Sequence, residues 1–349
     1  MINNNCTLCE GRGFTTYFRE GYEFAKKCDC IPDLTSIVKD ILKDTIKRCE
    51  TKESKSFFKK ILSDMNSVNS FENASLSDLS NMKSFSRSYL KTGIYGIDKL
   101  SNNGTLPTGN LHLITGEEGS GKSSLIEHIA LANAKNKRGV ASFSLKANAG
   151  TSLARLHAKT SGVQLNKILN KTLNDNELSK VINTAEINSM SYTNFYIIEP
   201  KTNHIGTILS DIYTLSVKDG IDIFFIDHLQ QLLMPKGNYA RNILEYNAIS
   251  FLLTTIIKKL NITIFAVSQS NTLAKSNIKD TSLSIYSIPS PLAQNAASII
   301  STSIRSIKNN SFDKKIMKIK VEKSRYIKSG TTVEVLFDQE TTKILNIFE

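Results

Sequence analysis

A chain of 349 residues, 40% apolar and 22% charged, has a globular composition and enough length for one large core with a small appendage. Its net charge of +12 suits a polyanionic partner through counterion release, although a merely soluble basic surface would look the same. No apolar run approaches the roughly 18 residues that cross a bilayer, and Met1-Ile2-Asn3-Asn4-Asn5 lacks the charged and apolar regions of a signal peptide, so a soluble intracellular protein without a membrane partner is expected.

The first element is marked by cysteine. Four of the five cysteines fall in the first 30 residues, as Cys6-x2-Cys9 and Cys28-x-Cys30 with 18 residues between the pairs. Four thiolates so paired can close a tetrahedral zinc site, and Gly11 and Gly13 let the backbone turn tightly beside it. Reduced bystander cysteines or a redox pair are the alternatives. Phe14, Tyr17, Phe18, Tyr22 and Phe24 are interleaved with Arg12, Arg19, Lys26 and Lys27, a pattern suited to stacking on bases and holding phosphates. The same aromatics are also the only core so small a module could have, and protein docking fits them equally. Residues 1–32 are therefore read as a zinc-binding module.

From Asp33 to about Met65, apolar residues at helical spacing, among them Leu34, Ile37, Ile41, Phe57, Phe58 and Leu62, predict two amphipathic helices. Cys49 falls in this region and reads as a buried small residue. Residues 66–90 turn Ser- and Asn-rich without a strand pattern, so 33–90 is read as a helical region with a linker, and a new domain opens at 91. The first 90 residues hold 14 Lys and Arg against 12 Asp and Glu, which leaves +10 of the charge excess to the domain that follows.

Leu111–Thr115 reads as a strand, the run from Ser124 to Ala134 as a helix, and between them lies Gly116-Glu117-Glu118-Gly119-Ser120-Gly121-Lys122-Ser123. G-x4-G-K-S in a strand-loop-helix setting is a phosphate cradle of backbone N–H groups at a helix N-terminus. Residues 116–124 would bind ATP, with Lys122 on its β- and γ-phosphates and Ser123 on Mg²⁺. Strands and helices then alternate: Val140–Leu145, helices across Thr151–Ile187, Asn194–Glu199, Ile205–Val217, Asp222–Asp227, Ile243–Leu260 and Thr263–Ser268. Such alternation predicts a doubly wound, mostly parallel α/β sheet. Ser298–Arg305, Ile316–Val321, Thr332–Phe337 and Lys343–Ile347 follow without helices, as an antiparallel extension. Asp227, ending an apolar strand, suits Mg²⁺ held through water, though it could merely cap a helix; Gln269, ending the next, is placed to sense a γ-phosphate.

Several local patterns in one order resemble the DnaB-like replicative helicases of superfamily 4, within the RecA/KaiC-like group. They are Thr92-Gly93 through Leu100 with Leu106-Pro-Thr-Gly109, the phosphate loop, Phe143-Ser144-Leu145, Phe225-Ile-Asp227-His-Leu-Gln230, Ser268-Gln269, Lys323-Ser-Arg325, Gly330 through Phe337, and Glu340-Thr-Thr342. The resemblance covers residues 88–349 and implies a RecA-like ATPase domain in a hexameric ring that steps along single-stranded DNA. It also implies that Lys323 and Arg325 reach the neighbouring subunit's γ-phosphate, with Arg325 as the arginine finger. The loops after Asp227 and Gln269 correspond to the family's channel loops, so Lys236, Arg241, Lys275 and Lys279 are expected on the DNA backbone, with plain solvated loops as the alternative. Primase, polymerase or another replication protein would be partners in the cytoplasm of a bacterial or phage-infected cell.

One position departs from the family. Its catalytic glutamate follows the second strand, where this chain has Lys146. A protonated lysine cannot accept the proton of the attacking water. Either another carboxylate substitutes, Glu117 and Glu118 being nearest in sequence, or hydrolysis is slow. Lys146 thus keeps open a rival reading: a non-unwinding RecA/KaiC-like ATPase, such as a recombination mediator or degenerate helicase paralogue. The N-terminal Cys-x2-Cys-x-Gly-x-Gly pattern is also similar to some helicase loaders, but the closing hairpin resembles the helicases.

Overall fold

A computed structural model describes residues 14–19, 22–27, 34–65, 88–100, 106–192, 194–235, 243–269, 289–306 and 314–347. The expected zinc ligands Cys6, Cys9, Cys28 and Cys30 and the expected DNA-contacting Lys236, Arg241, Lys275 and Lys279 lie outside these residues. Between the cysteine pairs, β1 (Phe14–Arg19) and β2 (Tyr22–Lys27) form an antiparallel hairpin.

α1 (Leu34–Arg48) and α2 (Lys52–Asp64) follow the predicted apolar spacing. Val38, Ile41 and Leu42 form the buried stripe of α1, and Phe58 and Ile61 that of α2. The Thr51 hydroxyl caps α2 by accepting from the Ser54 amide at 3.1 Å. Cys49, just past α1, is buried with a free thiol. β3 (Tyr89–Leu90) is a strand that the Ser- and Asn-rich pattern of 66–90 does not predict, because two residues are too few to show alternation. After α3 (Tyr95–Asp98), it pairs with β4 (Leu106–Pro107).

The main body runs β5 (Leu111–Gly116), α4 (Lys122–Lys135), β6 (Val140–Ser144), α5 (Ala149–Ser161), α6 (Leu165–Leu169), α7 (Asp175–Ser191), β7 (Phe195–Ile198) and α8 (Ile205–Asp219). It continues with β8 (Ile223–Asp227), α9 (Ile243–Leu260), β9 (Thr263–Gln269), α10 (Ser290–Asn295), β10 (Ser298–Ser306), β11 (Lys314–Ser324), β12 (Thr332–Asp338) and β13 (Lys343–Asn346). One sheet takes the order β13-β12-β11-β10-β5-β9-β8-β6-β7. From β10 to β7 all pairs are parallel, and β11, β12 and β13 extend the β10 edge antiparallel, as the helix-free tail predicts.

Both faces of the parallel part are covered, and its central strands β5, β8 and β9 are buried along nearly their whole length. Phe224 and Ile226 face one core, and Ile223 and Phe225 the other. The second core contains Leu125, Ile126 and Ile129 of α4 together with the antiparallel extension. The first holds α8 and α9, and α1 and α2 pack into it: Ile41 and Leu42 share a cluster with Ile208, Leu209 and Leu252, and the rings of Phe57 and Tyr213 lie 4.6 Å apart. Gly206 permits this approach, since a Cβ there would stand 3.1 Å from the Thr45 backbone. Among the described residues, no helix is long and apolar enough to cross a membrane.

Candidate nucleotide-binding site

The phosphate loop joins the carboxyl end of β5 to the first turn of α4. Gly116 has φ +150°, and a Cβ there would meet the Thr302 carbonyl oxygen of β10 at 2.5 Å, so only glycine lets the chain turn against its neighbour. Gly121, with φ +82°, leads directly into α4, and the Ser120 hydroxyl is tied to that of Thr302 at 3.0 Å. Nothing lies within 4 Å of a Cβ built on Gly119, so the outer loop faces open space. Lys122 donates from Nζ to the carbonyl oxygens of Gly116, at 3.0 Å, and Glu117. Burial pushes its pKa down, Asp227 and Glu118 oppose that shift, and Lys146 adds to it.

This loop forms one wall of a cavity of about 580 Å³, a size suited to a small-molecule ligand. Gly119, Gly121, Lys122, Ser123 and Ser124 line it from the loop and α4. Asp227 and Gln269 line it from the carboxyl ends of β8 and β9, where open α/β sheets bind ligands. Gln269 pairs in register with Gly116, and Asp227 with Ser144. The expected phosphate, Mg²⁺ and sensor residues thus converge on one space. The donor set fits magnesium nucleotide: amides and an ammonium for phosphate, with the Ser123 hydroxyl and Asp227 carboxylate as oxygen ligands for a hard cation. Among the described residues no cluster of three or more His, Cys, Asp or Glu forms a metal site.

Neighbours hold these groups in place. The Gln230 side chain donates to Ser268 Oγ at 3.1 Å and to the Gln269 carbonyl at 3.3 Å, and its oxygen accepts from the Gln269 amide. His228 is buried with its pKa lowered, first by burial and only partly offset by Asp227, so it is a neutral neighbour of that carboxylate. Lys146 lines the cavity, and its Nζ lies 3.2 Å from Glu118 Oε1. Glu117, the other carboxylate singled out in the loop, does not line the cavity.

Lys323 and Arg325 are brought together elsewhere. Lys323 Nζ donates to the carbonyl oxygens of Ala293, at 2.6 Å, and Gln294, at the end of α10, and Arg325 Nη2 reaches Gln294 O at 3.5 Å. Neither lines its own chain's cavity.

A second ring of cavity residues goes unsignalled by motif. Arg155 of α5 contacts Glu127 at 2.7 Å and Ser124 Oγ at 3.1 Å. Behind them Lys159, buried and not itself in the cavity lining, donates to the Ser124 carbonyl at 2.8 Å and lies 3.1 Å from Glu127. Glu127 follows Ser123 at i,i+4 and so shares its helix face, the one local signal that could have found it. Phe337 near the end of β12, with Gln339 and Thr342 of the β12–β13 turn, closes another wall.

A family model for the DnaB-like helicase C-terminal domain matches residues 90–346. The chain is 30% identical over 165 residues, 47% of its length, to a probable plasmid replicative DNA helicase of Chlamydia trachomatis. It is 29% identical over 181 residues, 52% of its length, to the Chlamydia muridarum protein of that name. These stretches span 36% and 39% of the relatives' own length, so the chain matches little more than a third of each. A solved DnaB-like replicative helicase, described with its interactions with primase, superposes with TM-score 0.66 at 18% identity, covering 90% of this chain and 75% of that one. A second solved ATPase domain gives 0.65 at 19% identity over 79% of this chain and all of its own. At such identities the superpositions establish the fold.

Proposed function

The chain belongs to the DnaB-like helicase C-terminal domain family, and from that membership we propose that it is an ATP-driven helicase or translocase acting on single-stranded DNA in replication, as a ring hexamer. The observation that carries this reading is the convergence of Lys122, Ser123, Asp227 and Gln269 on one cavity at the strand ends. ATP would lie along the phosphate loop, with Mg²⁺ between Ser123 and Asp227. Lys323 and Arg325, outside their own cavity, would complete that of the next subunit, which makes hydrolysis depend on assembly. Lys236, Arg241, Lys275 and Lys279 would follow the DNA backbone, and the +12 charge is consistent with such a partner. Cys6, Cys9, Cys28 and Cys30 would hold Zn²⁺ in a module for DNA or a replication protein, primase or polymerase among the candidates. Residues 33–90 would link it to the ATPase domain.

Turnover is expected to be slow because Lys146 stands where the family has its glutamate. Glu118, which lines the cavity and among the described residues is held only by the exposed Lys146 pair, would be freer to act on water than Glu127, which Arg155 and Lys159 hold in a largely buried network. The same lysine favours a second reading, an ATP-binding assembly subunit that does not unwind. A forked-duplex assay separates the two. ATP-dependent strand displacement that vanishes in Lys122→Ala supports the motor, whereas ATP-dependent DNA binding without displacement supports the assembly subunit.

A further inference from the structure

Across the mouth of the cavity lies an ion pair that a phosphate loop does not itself require. Lys146, in the turn after β6, meets Glu118 at 3.2 Å, with the two side chains 58% and 81% exposed. Water screens so open a pair, and a better anion displaces it readily. Lys122 and Lys146 line the same cavity, and Lys146 is among the charges that depress the Lys122 pKa. Two ammonium groups facing one space repel each other and both gain from a polyanion between them. Arg155, the third cation of the wall, is engaged by Glu127 and Ser124 in a partly buried network. Lys146 is held only by one solvent-exposed carboxylate among the described residues.

The position of Lys146 indicates which phosphate it would meet. Ser144, two residues earlier, pairs with Asp227, so Lys146 rises from the strand ends that also carry the metal-binding carboxylate. On the nucleotide reading, phosphates cradled by the loop amides would meet Lys122, and the outermost of them would lie toward the side of the cavity lined by Asp227 and Lys146. We infer that Lys146 is a second phosphate-binding lysine, which exchanges Glu118 for the terminal phosphate of a bound nucleoside triphosphate and so distinguishes triphosphate from diphosphate. The inference rests on the nucleotide reading of the cavity. A diphosphate lacks that outermost phosphate and would leave the Glu118 pair closed.

Isothermal titration of the full chain with magnesium AMP-PNP and magnesium ADP tests this, using wild type, Lys146→Met, Lys146→Arg and Glu118→Gln. Lys146→Met is expected to weaken AMP-PNP about tenfold or more, the size of a lost charge-assisted hydrogen bond, and ADP by less than about threefold. Lys146→Arg should keep the discrimination, and Glu118→Gln should hold or tighten AMP-PNP by removing its competitor. Equal losses for both nucleotides, or none for either, overturn the role of Lys146 while leaving the nucleotide site standing. Wild-type protein that binds neither nucleotide overturns that site and the inference with it. Lys146 is exposed, so an unchanged thermal midpoint is expected of both its variants.

Discussion

Lys122 Nζ stands 3.0 Å from the carbonyl oxygen of Gly116, so the phosphate loop closes around its own lysine. Phosphate oxygens offer this buried ammonium the same contact with a formal charge added. Lys122→Ala should therefore abolish the rise in thermal midpoint that magnesium ATP produces in the wild type, and lower turnover by about 10²-fold or more. Differential scanning fluorimetry with and without nucleotide checks the first effect. A full ATP-induced shift in the variant would place the nucleotide elsewhere.

Lys323 and Arg325 grip the end of α10 and do not line their own cavity. Arg325→Ala should lower turnover by about 10³-fold while ATP still binds. Mixing Arg325→Ala with Lys122→Ala chains should restore part of the activity, because one supplies the intact phosphate loop and the other the intact finger. Mixtures no more active than either variant alone would rule out action across a subunit boundary.

His112 is buried against Phe265, with Nε2 3.0 Å from the Pro107 carbonyl and Nδ1 2.7 Å from Ser298 Oγ. A carbonyl only accepts, so Nε2 carries the hydrogen and Nδ1 accepts from the serine. Burial pushes the pKa down to about 4 from 6.5. The unfolded chain takes up this proton first, so the contribution of neutral His112 is fully present above pH 6.5 and is lost as pH falls toward 4. The loss amounts to about 3 kcal/mol at its limit. Urea unfolding between pH 7.5 and 4.5 should show this decline, and His112→Gln should make it shallower, with His128, likewise held down to about 4 by burial, keeping a share. An equal slope in the variant would assign the decline to other groups.

Gly206 brings α8 against α1, where even a Cβ would stand a tight 3.1 Å from the Thr45 backbone. Gly206→Val should cost about 1–3 kcal/mol by overpacking, and Ile41→Ala about 2–5 kcal/mol by leaving a cavity in the shared core. Chemical denaturation measures both. Changes within about 0.5 kcal/mol would mean that α1 does not dock on α8 and α9 of its own chain in solution.

Local chemistry made much of this site readable from sequence. The glycines, Lys122 and Ser123 lie within eight consecutive positions, and Asp227 and Gln269 each end an apolar strand, so their meeting follows once the sheet is parallel. The contacts of Arg155 and Lys159 with Glu127 were not readable. They join α4 to α5 across 28 and 32 positions, and helix periodicity shows that a face is buried without showing what it meets. The same limit hides the docking of α1, whose stripe of Val38, Ile41 and Leu42 predicts a partner but not α8 and α9. Lys146 was legible only as a departure, because its pairing with Glu118 depends on how the loop and the end of β6 face each other.

Steady-state hydrolysis of magnesium ATP, with and without single-stranded DNA and beside Lys122→Ala, tests the motor most directly. Slow basal turnover that DNA stimulates several-fold, and that is absent from the variant, is the predicted result. Turnover equal to that of Lys122→Ala, in protein shown to bind both ATP and DNA, would contradict a motor and leave an ATP-binding assembly subunit.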